Sequence, residues 1–168
     1  MGPARAQFSP MSPEGQAFGD FTQRVKDYVK LRKAAPKLRN TDQRKEIVNR
    51  RQAIAQAIRA ARPDAKQGDI FTPQISEQFK KVIQRTLQGA EGTEARKTIR
   101  QGDPVVGVQL TINGAYPEDL PVTSMPATLL RRLPELPERI AYRIVGHDFV
   151  LQDTEARLII DLIPGALP

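Results

Sequence analysis

Few residues of this chain have the types and spacing to do chemistry, and what is absent narrows the choice first. There is no cysteine, which removes thiolate nucleophiles, Cys-ligated zinc, iron–sulfur clusters and disulfides. The single histidine, His147, stands between Gly146 and Asp148. A neutral imidazole beside a carboxylate can act as a general base, but Gly-His between two strand-like runs is also the composition of a tight turn. A base in an exposed turn lacks an orienting partner and a positioned substrate, so no catalytic residue is assigned there. The remaining candidates are Asp148, Asp153 and Asp161 with Arg143, a set suited to a hydrolase or lyase working with carboxylates and arginine alone. No P-loop, G-x-G-x-x-G, G-x-S-x-G or H-E-x-x-H pattern occurs, and no cofactor is implied.

One pair of carboxylates gains interest from strand pairing. If the turn after the second C-terminal strand spans 153–156, Leu158 falls beside Leu151, Ile160 beside Phe149, and Asp148 directly across from Asp161 on the outer face. Like charges placed so are destabilising unless a cation, a shared proton or Arg143 compensates them. An ion pair centred on Arg143 is the simpler expectation, and a metal held by Asp148 and Asp161 the other.

The second candidate surface is basic. Residues 1–100 contain 21 Lys and Arg against 10 Asp and Glu, whereas residues 101–168 contain 5 against 9. A positive face of this kind attracts phosphates, an anionic membrane surface or an acidic protein. Lys30, Arg32, Lys33, Arg44, Lys45, Arg50 and Arg51 are the candidate anion or nucleic-acid contacts. Interleaved aromatics for base stacking are missing, and no helix-turn-helix, RRM or KH signature is present, so nucleic acid is the less favoured partner.

The elements that position these residues follow from periodicity. Ser12-Pro13-Glu14 starts a helix with a cap, a proline in the first turn and an acid at the positive dipole end, and Phe18, Phe21, Val25, Tyr28 and Leu31 give it one apolar stripe before Pro36. Thr41-Asp42 caps a second helix carrying Ile47, Val48, Ile54, Ala57, Ile58 and Ala61, ended by Pro63. Thr72-Pro73 opens a third, with Ile75, Phe79, Val82, Ile83 and Leu87, closed by Gly89. A weaker helix is predicted over Thr93–Arg100, and a short one over 126–133.

At Gly102 the period changes to two. Val106, Val108, Leu110 and Ile112 alternate with polar or small residues up to Asn113-Gly114, a hairpin signal. Prolines 117, 121, 126, 134 and 137 then mark an extended connection across the surface. Ile140, Tyr142 and Ile144 form a strand joined through Gly146-His147 to a partner in which Phe149 faces Ile144 and Leu151 faces Tyr142. A third strand contributes Leu158 and Ile160 to the same apolar face. Val145, Val150 and Ile159 make the opposite face too apolar to be wet, so a helix, the proline-rich connection or a partner must cover it.

Helices first and strands later predict an α+β fold, with three amphipathic helices packed on a C-terminal antiparallel sheet. The domain is expected over 12–168, helical over 12–101 and strand-rich over 104–164, after a disordered lead at 1–11. Ala4-Arg5-Ala6 has the small-x-small form of a cleavage site, which makes 1–6 the stub of an export signal and a periplasmic or secreted location the expectation, with the cytoplasm as alternative. No apolar run is long enough to span a bilayer. The functional expectation is a non-catalytic binding or accessory protein that meets a protein partner or a second copy of itself through the basic helical face or the apolar sheet face. The alternatives are nucleic-acid binding through the basic helices, and the carboxylate–arginine enzyme.

Overall fold

The structure, a computed structural model, describes residues 12–35, 43–100, 108–120 and 125–168. Helix α1 (Pro13–Lys33) starts where its cap predicts: Ser12 Oγ accepts the Gly15 N–H at 2.9 Å, and Lys30, Arg32 and Lys33 fill the last turn at the negative dipole end. Phe18, Phe21, Val25 and Tyr28 are buried along its stripe, while Leu31 emerges at the far end. Helix α2 (Arg44–Ala61) has Gln43 at its N-cap with no side-chain capping bond; the expected Thr41-Asp42 cap lies outside the described residues. Only the second half of its stripe is covered, with Ile54, Ala55 and Ile58 buried and Ile47 and Val48 exposed.

Helix α3 (Pro73–Leu87) begins at Thr72, whose Oγ1 accepts the Ile75 N–H, and buries Ile75, Phe79, Val82, Ile83 and Leu87. Gly89 follows with a φ of +70°, the left-handed conformation that ends many helices. Helices α4 (Thr93–Arg100) and α5 (Ala127–Leu130) are short, the latter covering only the first part of the predicted 126–133 segment.

Strands β1 (Ile140–Val145), β2 (Asp148–Asp153) and β3 (Leu158–Ile163) form one antiparallel sheet in the order β1-β2-β3, against which α1 and α3 pack. The fold class is therefore the predicted α+β arrangement. Phe21, Phe71, Phe79, Tyr142 and Phe149 make the centre of the core, with ring centroids 4.9–6.3 Å apart in stacked, tilted and edge-on pairs.

The first hairpin has the predicted register, Ile144 opposite Phe149 and Tyr142 opposite Leu151, turned by Gly146 at φ 61°. The second does not. The turn spans 154–157, Leu158 stands opposite Asp153 instead of Leu151, and a bulge at Leu151/Gln152 then sets Asp161 across from Leu151 and Ile163 across from Phe149. Asp153 causes the first shift, because its Oδ1 accepts the N–H groups of Glu155 and Ala156 and so begins the turn one residue later. The bulge adds a residue to β3 and reverses the side on which Asp161 projects. The expected opposition of Asp148 and Asp161 is thereby corrected: Asp148 pairs with Val145 across β1, and Asp161 turns to the helical side.

The Asn113-Gly114 turn is present, with the Gly114 N–H on the Thr111 carbonyl at 2.9 Å, but it joins no hairpin among the described residues. Residues 108–111 are not in a strand, and 105–107 lie outside the described residues. The turn instead docks on the edge of β3: Asn113 N–H donates to the Ile159 carbonyl at 2.8 Å, Ile159 N–H to the Gly114 carbonyl at 2.9 Å, and Tyr116 N–H to the Arg157 carbonyl at 2.7 Å. Position 114 requires glycine because a Cβ there would lie 2.8 Å from the Thr111 oxygen. Past this turn, Tyr116 joins Val145, Val150, Ile159 and Leu162 in a second core, flanked by Leu110, Ile112 and Leu120. The outer sheet face is thus covered by the chain's own connecting segment.

Candidate functional site

The densest polar cluster is built around Asp153, the last residue of β2, whose side chain is fully buried. Its Oδ2 accepts the Tyr28 hydroxyl at 2.9 Å and Arg32 Nε at 2.8 Å, both from α1. The other nitrogen face of Arg32 reaches Glu155, which also takes Arg50 Nε from α2 at 2.8 Å and lies 3.9 Å from Arg139. The Arg62 guanidinium lies 5.4 Å over the Tyr28 ring. Two carboxylates therefore clasp α1, α2 and the β2–β3 turn together through Tyr28, Arg32 and Arg50.

Protonation follows from this geometry. Tyr28 is pushed well above the usual phenol range, first by burial and then by the Asp153 charge and hydrogen bond, which makes it a donor and not a base. At Glu155 burial works to raise the pKa, but the hydrogen bond and charge of Arg32 with the charges of Arg50 and Arg139 prevail and hold it below its ordinary 4.5. A depressed carboxylate contributes stability that is complete above its unfolded pKa and is lost as pH falls through the folded one. Glu155→Gln is therefore expected to be less stable at neutral pH and to lose part of the acid-side slope below about pH 4.5. Urea midpoints measured from neutral to acid pH check this, and parallel curves for the two proteins would refute it.

The other sequence candidates separate. Asp161 is fully buried, and its carboxylate accepts the N–H groups of Gly68, Ile70 and Phe71 at 3.0, 2.8 and 2.8 Å from the loop before α3, besides that of Leu162 at 2.8 Å. Asp148 accepts Gly165 N–H at 2.9 Å, and His147 is exposed with Nδ1 3.2 Å from the Pro168 carbonyl. Arg143 donates Nε to Gln152 Oε1 at 3.0 Å and pairs with neither aspartate. The structure brings no two of these carboxylates together. Among the described residues no group of three His, Asp or Glu side chains could hold a metal ion.

The basic candidates also divide. Arg32 and Arg50 belong to the Asp153–Glu155 cluster, and Arg51 lies 4.0 Å from Glu118. Lys30 is 3.8 Å from Asp27 in an exposed pair, and Lys33, Arg44 and Lys45 are exposed without an ion-pair partner among the described residues. Because Glu155 holds Arg32 and Arg50 at once, the end of α1 is fixed beside the first half of α2. Leu31, Ile47 and Val48 are 38%, 42% and 37% exposed, Leu31 next to Arg32 in the chain and Ile47 and Val48 within one turn of Arg50. Periodicity located the two stripes; it did not show where the body beneath them stops.

A groove of about 410 Å³ runs between the first turn of α1 and the last turns of α3, past Glu14, Lys81 and Arg85, and Arg85 closes part of it by pairing with Glu14 at 3.1 Å. None of the carboxylate candidates lines it. Tyr28, Arg62, Glu155 and Arg139 are members of the cluster around Asp153 that the sequence reading does not anticipate. The only local signal was Asp153 itself, whose position at the head of a turn suits side-chain-to-backbone capping. Comparison with protein-family models, curated proteins and solved structures gives no match to this chain.

Proposed function

We propose that the chain is a non-catalytic binding protein that docks an acidic, amphipathic protein segment on the shared end of α1 and α2. The observation that carries this reading is the exposure of Leu31 beside Lys30 and Lys33 at the end of α1, and of Ile47 and Val48 beside Arg44 and Lys45 at the start of α2. The stripe Ile47, Arg51, Ile54, Ile58 continues past the point where Ile54 and Ile58 are buried, so its first turn presents a partly exposed apolar side chain, Ile47. The surrounding cations select an acidic partner, and they repel a second copy of the same patch. Nucleic acid is less well served: Arg32 and Arg50 are already held by carboxylates, and every described Phe and Tyr ring is buried, leaving none for stacking. An anionic membrane would likewise meet no aromatic anchor among the described exposed apolar residues.

The test is titration of the labelled protein with a Glu-rich, Leu-containing amphipathic peptide, a DNA duplex and phosphatidylserine vesicles at low and high salt. The peptide is expected to bind saturably and more weakly as salt rises. Lys33→Glu with Lys45→Glu should weaken it about tenfold or more, and Ile47→Ser several-fold. Failure of the peptide to bind, or binding that ignores these substitutions, overturns the reading. Tighter binding of duplex or vesicles, abolished by the same charge reversals, would replace it.

A further inference from the structure

The apolar layer on the outer sheet face contains a polar defect. Tyr116 is 4% exposed and packs with Val145, Val150, Ile159 and Leu162, yet its hydroxyl has no hydrogen-bond partner among the described residues. A phenol in that state has lost the hydrogen bonds that water supplied and gained none in return. Its surroundings are cationic. Tyr116 N–H is bonded to the Arg157 carbonyl, and Arg143 stands on β1 opposite Val150, which Tyr116 packs against. Burial raises the Tyr116 pKa, while the charges of Arg143 and Arg157 act to lower it, so both guanidinium groups are within electrostatic reach of the hydroxyl.

Among the described residues neither arginine is fully engaged. Arg143 gives Nε to Gln152 and retains its terminal N–H groups. The carboxylate near Arg157 is Glu118, 3.7 Å away on a side chain 77% exposed, and the same oxygen lies 4.0 Å from Arg51. An exposed carboxylate at such distances is a weak counter-ion that can leave for solvent. Arg51 Nε is a second buried polar atom without a hydrogen-bond partner among the described residues, and Arg51 faces the same Glu118. Arg157 also holds a left-handed φ of 53°, uncommon for a long side chain, which fixes the direction in which it leaves the β2–β3 turn.

We infer that Tyr116, Arg143 and Arg157 form a binding site for an oxyanion, the phosphate or carboxylate group of a small ligand, on the outer face of the sheet. The anion accepts the Tyr116 O–H and N–H groups from both guanidiniums, and Glu118 withdraws to solvent. The site uses none of the residues of the α1–α2 patch, so it stands or falls separately from the docking reading.

Titration with inorganic phosphate and with succinate, at ionic strength held constant by sodium chloride, tests the site by calorimetry and melting temperature. Saturable binding of one or both anions is expected. Tyr116→Phe, Arg143→Gln and Arg157→Gln should each weaken it about tenfold, whereas Arg131→Gln, an exposed position after α5, should leave it unchanged. Preference for phosphate identifies a phosphorylated ligand, and preference for succinate a carboxylic acid. Because the Tyr116 hydroxyl has no partner to lose among the described residues, the unliganded Tyr116→Phe protein should melt no lower than wild type, which separates lost binding from misfolding. Absence of saturable binding to either anion, or equal binding by wild type and Tyr116→Phe, overturns the site.

Discussion

Asp153→Ala is expected to lower the unfolding free energy by about 3–5 kcal/mol, the range for removing one partner of a buried ion pair, and to reduce the melting temperature by roughly 10 °C for a chain of this length. The loss comes from what the substitution leaves behind. Arg32, with a side chain only 17% exposed, keeps its charge but loses the carboxylate at its Nε. The Tyr28 hydroxyl loses its acceptor inside the core, and the Glu155 and Ala156 N–H groups lose the cap that sets the β2–β3 turn. Glu155 still holds the other side of Arg32, which limits the penalty. Asp153→Asn should cost less, since its amide oxygen can continue to accept the turn N–H groups. In an Arg32→Leu background the cost of Asp153→Ala should shrink, because the stranded cation is gone; the difference is the coupling between the two residues. Chemical denaturation of the four proteins of this cycle, with unchanged m-values, measures it. A single-mutant loss below about 1 kcal/mol would show that Arg32 escapes to water and that the cluster contributes little.

What the sequence made legible was local. Ser12 and Thr72 signalled helix starts through side-chain acceptors three residues from their donors. The alternation around Gly146-His147 set the first hairpin because a two-residue turn leaves no choice of register. The second hairpin failed for a physical reason: alternation specifies which residues share a face, and Leu158 and Ile160 do share the core face with Phe149 and Leu151, but it cannot count a bulge or tell which residue caps a turn. The Asp148–Asp161 pair depended on that count and disappeared with it. Asn113-Gly114 signals a hairpin by the same local logic, although its partner is the edge of β3, more than forty positions away. The polar clusters were the least legible part, since Asp153 meets Tyr28 and Arg32 at separations of 125 and 121 residues. The charge imbalance was visible from counting, but which cations remain exposed depends on where Glu155 and Asp153 fall in three dimensions.

Asp161→Ala is the second substitution with a large expected effect, about 3–4 kcal/mol, and it acts on a loop and not on an ion pair. The loop at 68–71 delivers Phe71 into the aromatic core, where its ring stacks on Phe21 at 5.4 Å. Gly68, Ile70 and Phe71 point their N–H groups at the Asp161 carboxylate, and those of Ile70 and Phe71 are buried. Alanine leaves them without an acceptor in a space that its methyl group does not fill. Each buried N–H stranded in this way costs about 1–3 kcal/mol, and partial movement of the loop toward water keeps the total below the sum. Asp161→Asn retains an oxygen but turns an NH₂ group toward donors, so it should fall between alanine and wild type. Hydrogen exchange supplies the discriminating measurement. In Asp161→Ala, the amides of Ile70 and Phe71 should lose more protection than those of β1, because the loop opens before the sheet unfolds. Uniform loss across loop and sheet would instead mean that Asp161 stabilises the domain only globally. No loss at Ile70 and Phe71 would contradict the role of Asp161 as the anchor that the β3 bulge turns toward the helices.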